Sequence, residues 1–163
     1  MACRGVLFAI DDDVVQAILD AGDDEAVMAV VEEVEDAWNE DRLAETDKAW
    51  DAMHRALSDG TLDPTGGEAP LNLAILGGNH LHSGEDYIVA LVSKEKVPEV
   101  ARALAAIDEA HFRERYFRLV PADYAPEFGE EDFAYTWSNL REVATLYARA
   151  AQEGLSVIFT VDQ

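Results

Sequence analysis

The stretch ILGGNHLHSGED at 75–86 gathers glycines, histidines and acids at close spacing. Gly77 and Gly78 follow an apolar run, as the glycines of a phosphate-binding loop follow a strand. The rest of such a loop is missing: no lysine comes next, and the following residues lead to another apolar run instead of a helix start. A glycine pair before a hairpin serves backbone geometry, and it predicts positive φ for at least one of the two. His80 and His82 stand one residue apart, which would put both imidazoles on one side of an extended strand and within reach of one metal ion. A stable zinc site needs one or two further ligands, and Glu85, Asp86, His54 and His111 show no spacing that supplies them. No metal is expected, and the two rings are read as solvated side chains of a polar turn. Ser83 stands beside Gly84 without the strand–turn–helix frame of a nucleophile elbow.

His54 is better placed. It lies four residues after Trp50, beside Met53 and Leu57, at the edge of an apolar helical stripe. There it is either a core-boundary histidine with a backbone partner or a group lining a pocket. Asp47 and Asp51 flank it at other angular positions, so no Asp–His pair follows. Cys3 has no histidine near it in sequence and falls on an expected buried strand. Asp11, Asp12 and Asp13 could hold a hard cation, but they lack the calcium-loop spacing, and a helix cap accounts for them. With 34 acidic residues in the chain, no single pair of carboxylates is informative. No complete catalytic set emerges and no cofactor is implied, so the reading leans away from an enzyme.

Charge is the dominant compositional fact: 12 basic against 34 acidic residues, a net charge of −22. Such a surface repels phosphate backbones and anionic membranes, which excludes nucleic-acid binding through a basic patch and disfavours membrane-surface attachment. Basic partners would be steered inward, although solubility alone also accounts for the charge. No apolar run approaches the roughly 18 to 20 residues of a membrane span. The N-terminal MACRGVLFAIDDD lacks a signal-peptide pattern. One cysteine excludes an internal disulfide and fits a reducing compartment, so a cytoplasmic location is expected.

These residues must be positioned by a set of strands and helices legible along the chain. CRGVLFAI at 3–10 predicts a first strand, stopped by the aspartates that cap a helix ended by Gly22. A second helix is expected over 23–41, with Val27, Val30, Val31, Val34 and Trp38 on one stripe and its acids on the solvated side. A third is expected over 46–60, capped by Thr46. PLNLAILGG and DYIVALV predict a pair of central strands joined by the glycine–histidine segment. A helix follows from about Pro98, then a short helix or turn at DEAHFRERYF. An irregular loop is expected at 118–132, a long helix over 130–153, and a last strand at LSVIFTV. Helices cluster instead of alternating strictly with strands, which predicts an α+β fold. The expected architecture is a single domain over 1–163, with a small mixed β-sheet of about four strands and clustered helices packed on it.

Three stretches carry a family resemblance: TDKAWDAMHRAL at 46–57, PLNLAILGGNHL at 70–81 followed by VSKEKVPEVARAL, and LREVATLYARAAQEGLSVIFTV at 140–161. On these the chain resembles the YfbM-like bacterial family of unknown function (domain of unknown function 1877), over nearly its whole length. It departs after the glycines, where SGEDYIVALV replaces a Gly-Tyr-Gly-type stretch. The resemblance implies a single α+β domain of cytoplasmic bacterial proteins and brings no established activity or cofactor. It groups Asp47, Trp50, His54, Gly77 and Gly78; the residues themselves are read as the third helix packing on the strand ending at Gly77, with the glycines letting the helix approach closely.

Two functions follow as expectations. The first is a non-enzymatic acidic module that covers a basic protein, as an immunity or inhibitor protein would. The alternative is a small-molecule-binding protein or an enzyme with a ligand site formed by Asp47, Trp50, His54, Gly77, Gly78 and Tyr87, completed by the loop near Tyr124. A third, in which the acids imitate a nucleic-acid backbone, requires carboxylates in a regular array on one face.

Overall fold

In the computed structural model, which describes residues 3–121 and 129–163, VLFAI becomes the core of β1 (Gly5–Ile10). Tyr124 lies outside the described residues, with the rest of 122–128; of the expected 118–132 loop, the start closes α5 and the end opens α6. After β1 come α1 (Asp12–Leu19), α2 (Asp24–Ala37), a 3-10 turn at Glu40–Arg42 and β2 (Leu43–Asp47). Then follow α3 (Trp50–Leu57), a second 3-10 turn at Leu71–Leu73, β3 (Asn79–His80) and β4 (Tyr87–Val92). The chain closes with α4 (Val97–Ala105), α5 (Glu109–Leu119), α6 (Gly129–Glu153) and β5 (Ser156–Asp162).

The fold is α+β, and its sheet has five described strands in the order β2–β1–β5–β4–β3. Every pairing is antiparallel, so the sheet is not mixed. β1, β5 and β4 lie inside it, and alternate residues of each serve two separate cores. Leu7, Ala90 and Phe159 face a large core with α3, α4, α5 and α6, whereas Phe8, Val89 and Ile158 face a smaller one with α1 and α2. Two covered faces explain why DYIVALV and SVIFTV show continuous apolar runs without alternation.

Aspartates start three helices as their type demands: the carboxylates of Asp11, Asp23 and Asp108 accept from the backbone N–H of Val14, Ala26 and His111. Pro98 sits in the first turn of α4, where its missing N–H costs nothing. DEAHFRERYF is part of a full helix, α5.

Two expected elements differ. Thr46 is not a helix cap. It lies on β2, an edge strand, and its hydroxyl donates to Gly5 O at 2.7 Å. α3 starts only at Trp50 and has no side-chain cap. LAETD does alternate, with Ala44 and Thr46 buried, but five residues of this polarity become a strand only beside β1, which lies some forty positions away in sequence. PLNLAILGG is not a strand either: Leu71–Leu73 forms a 3-10 turn, and Ala74, Ile75 and Leu76 are buried without a ladder. Periodicity does not separate a buried strand from another buried apolar run. Only Asn79–His80 pairs with β4.

Candidate functional site

Ala74–Leu76 is buried without strand pairing, so its backbone groups must find other partners. Side chains supply them. Leu76 N–H donates to His54 Nδ1 at 3.4 Å, His80 Nε2 bonds Leu76 O at 2.6 Å, and Tyr147 Oη donates to Ala74 O at 2.8 Å. An Nδ1 that accepts leaves the proton of neutral His54 on Nε2, which faces Asp63 O at 3.3 Å. The ring is 0% exposed, and burial holds its pKa below the usual histidine value. Both nitrogens are thus committed to backbone groups. Tyr147 is fully buried too, and burial drives its phenol pKa upward.

The glycines act through space rather than through φ. Neither Gly77 nor Gly78 has positive φ; that conformation occurs at Gly60, Gly67 and Gly154. A Cβ on Gly77 would overlap Asn72 O, and one on Gly78 would lie 2.6 Å from Leu91 O. The close approach is therefore to the 3-10 turn and to β4, and not to α3 as expected from the sequence.

Asp47 and Trp50 meet at the start of β1. Trp50 is buried, its indole N–H donates to Cys3 O at 2.9 Å, and its ring lies 5.7 Å from that of Phe159. Asp47 takes a left-handed conformation, φ 48°, at the turn into α3, and its carboxylate accepts from Tyr135 Oη at 2.7 Å and faces Arg4 at 3.4 Å. Tyr87 stands apart from both groups, on β4, where its hydroxyl donates to Glu35 of α2. Burial first, and the Glu35 carboxylate second, push its pKa upward. The six expected ligand residues therefore fall into three places: Asp47 with Trp50 by the start of β1, Gly77 and Gly78 in the segment after Leu76 that His54 holds, and Tyr87 on β4.

Of the two histidines expected to be solvated, His80 is exposed but His82 is not. The His82 side chain is only 5% exposed, with Nδ1 on Gly84 O at 3.2 Å and Nε2 3.9 Å from Asp24. Asp24, in the first turn of α2, also accepts from Ser83 N–H, Ser83 Oγ and Gly84 N–H at 2.9 to 3.0 Å. Those hydrogen bonds, led by the Ser83 N–H, hold its pKa below the usual aspartate value. The sequence shows Asp24 only as one acid among many, and nothing local connects it to a turn 59 residues on. Among the described residues, no three His, Cys, Asp or Glu side chains are grouped to hold a metal ion. No described helix is long and apolar enough to cross a membrane.

Among the described residues, four surface clefts lie elsewhere. One of about 660 Å³ runs between α4 and α6 beside Trp137 and Arg141. One of about 590 Å³ borders Arg115 and Arg118 of α5, and one of about 680 Å³ is lined by Asp23 and Ser83. The fourth, of about 300 Å³, is a groove between β1, α1 and α2 with a mainly apolar lining. None of the six expected ligand residues lines any of them. Trp38, expected inside the α2 stripe, falls between Ala37 and Asn39, which both line the apolar groove, and its ring packs on Phe8 of the groove wall. It instead ends the helix in a left-handed conformation with its indole 40% exposed.

With five antiparallel strands between two helical layers in view, comparison with known proteins becomes meaningful. The family model "Domain of unknown function (DUF1877)" matches residues 1–160. The chain belongs to this family. Among solved structures, YfbM from Escherichia coli, described as a protein of unknown function, is similar in fold, with a TM-score of 0.71. The match covers 99% of each chain at 17% sequence identity. No curated protein matches the chain.

Proposed function

We propose that the chain is a non-enzymatic interaction module that binds a basic protein partner, in the manner of an inhibitor or immunity protein. The observation that supports this reading is where the charge lies. Of the 34 acids, 13 fall between Asp11 and Arg42, with Arg42 as the one base, leaving 21 acids and 11 bases for all other positions. Of those 13, all but Asp24 and Glu35 are exposed. Among the described residues, only Asp12, with Lys94, and Asp24, near His82, have an ion-pair partner. Solubility needs a charged surface but not one concentrated on one helical layer, whereas steering of a basic partner gains from such focusing.

The test is recovery of partners from native lysate at low and at moderate salt. A second bait carries the exposed acids of α1 and α2 as Asn and Gln. A basic protein should be retained by the native bait at low salt, less at moderate salt, and not by the neutralised bait. Recovery of no basic protein at either salt overturns the reading. The alternative, a small-molecule or catalytic site around Trp50, His54 and the Gly77–Gly78 turn, lines none of the four clefts among the described residues, and the His54 ring is committed to backbone.

A further inference from the structure

The groove on the acidic layer has the features of a docking site. Its walls are Phe8, Ile10, Val14, Val30, Val34 and Ala37. The three valines are only half-buried, so apolar surface that α1 and α2 could have closed on the sheet is left open to solvent. Asp11 and Glu33 lie along the same lining, with Arg42 at one end. Its volume, about 300 Å³, is at the small end for ligand sites and leaves room for a few side chains of an inserted segment.

Trp38 supplies the second observation. It follows the last residue of α2 with φ 39°, where a helix ordinarily ends on glycine because a Cβ is disfavoured. Its ring packs edge-on against Phe8, a wall of the groove, at a centroid distance of 6.1 Å. A tryptophan held in a disfavoured backbone conformation with its ring half in solvent is the kind of local cost that persists at binding surfaces. Tryptophan is also the side chain most enriched among residues that carry interface energy.

We infer that this groove is where the partner docks: a basic segment with apolar side chains, whose apolar groups enter between Val14, Val30 and Val34 against Trp38 while its cations meet Asp11, Glu33 and the acids around them. The inference rests on the proposed function and adds the surface and its anchor. A second copy of the chain is a poor occupant, because it would bring another thirteen acids against these.

The probe is an amphipathic Leu/Lys helical peptide, with a Leu/Glu peptide of the same pattern as its counterpart. Both are titrated calorimetrically into the full chain and into Trp38→Gly, Val34→Asp and, as a control on α6, Glu142→Gln. Glycine accepts the Trp38 backbone conformation, so that variant keeps the fold while losing the ring; its thermal unfolding is measured alongside. Expected are binding of the Leu/Lys peptide alone, about tenfold or more weaker in the two groove variants, and unchanged in the control. Unchanged binding in both groove variants overturns the groove and leaves the acidic-module reading standing. Equal binding of the two peptides overturns the basic occupant. Failure of the Leu/Lys peptide to bind, when lysate recovery succeeds, overturns the groove alone; failure of both experiments removes the two readings together.

Discussion

His54 shows how a residue with the chemistry of a site is used up in building the fold. Its Nδ1 and Nε2 face Leu76 N–H and Asp63 O, so removing the ring leaves buried backbone groups unsatisfied. His54→Ala should lower the unfolding free energy by about 2 to 5 kcal/mol, combining a lost hydrogen bond and a cavity, as read by urea denaturation. Its depressed pKa also has a sign. The unfolded chain takes up the proton near pH 6.5 and the native chain only at lower pH, so stability present above that value declines as pH falls through the window below it. Measured from pH 7.5 to 5, His54→Gln should show a shallower acid decline than the native chain. An identical slope would mean that His54 is not held neutral by burial.

Glycines test the same distinction between shape and φ. Gly77→Ala drives a Cβ into the Asn72 carbonyl and should cost about 1 to 3 kcal/mol. Gly22→Ala meets nothing within 4 Å and has no positive φ, so it should be neutral or stabilising by up to about 1 kcal/mol. At position 38 the expectation inverts the usual order. Trp38→Gly should be more stable than Trp38→Ala by about 1 kcal/mol, because both lose the contact with Phe8 but only glycine relieves the left-handed backbone. Denaturant midpoints of the two variants decide it.

At the scale of elements, the chain holds its two helical layers through a few long-range ties that no local pattern reveals. Asp24 ties α2 to the turn between β3 and β4 by accepting three donors from Ser83 and Gly84. Asp24→Ala should accelerate amide exchange at Ser83 and Gly84 while leaving β4 protected, since β4 is paired on both sides. Because that carboxyl has a lowered pKa, the same release should occur in the native chain only as pH falls below the ordinary aspartate value of 3.8. Exchange at those two amides that does not change on substitution would show that the turn holds without Asp24. β2 is the mirror case on the other sheet edge, where Thr46 bonds Gly5 O and makes a strand of a segment whose own composition favours none. α1, α2, α4 and α6 were legible because the residues of each apolar stripe, and the capping aspartates of α1 and α2, lie within a turn or so of one another. β2 and the 70–78 segment were not, because β1, which makes β2 a strand, and His54 and Tyr147, which hold Leu76 and Ala74, lie about 20 to 70 residues away.

For the whole molecule, charge is a cost as well as a surface. A net charge of −22 on 163 residues sets the acids of α1 and α2 against one another, so added salt should stabilise the fold. Going from about 0.01 M to about 1 M salt shortens the screening length from roughly 30 Å to 3 Å, and the melting temperature should rise over that range. Binding of a basic partner should weaken over the same range, so salt should move stability and affinity in opposite directions. A melting temperature that falls with salt would mean that ion pairs such as Lys94–Asp12 outweigh the repulsion.

By itself the sequence determined the α+β class, the amphipathic helices, the buried runs of β4 and β5 and the negative charge. Each of these depends on residue types within a few positions of one another. It also pointed to the residues with distinctive chemistry, His54, His80 and His82, but not to their work. That depended on the tertiary structure, because a polar side chain takes its role from the groups it meets. His54 and His80 meet the unpaired backbone of Leu76, and His82 lies beside Asp24 from another layer. The same holds for Trp38, which belongs to the apolar stripe by spacing. Only the end of α2 one residue earlier leaves it exposed, with its ring against Phe8 of the groove wall.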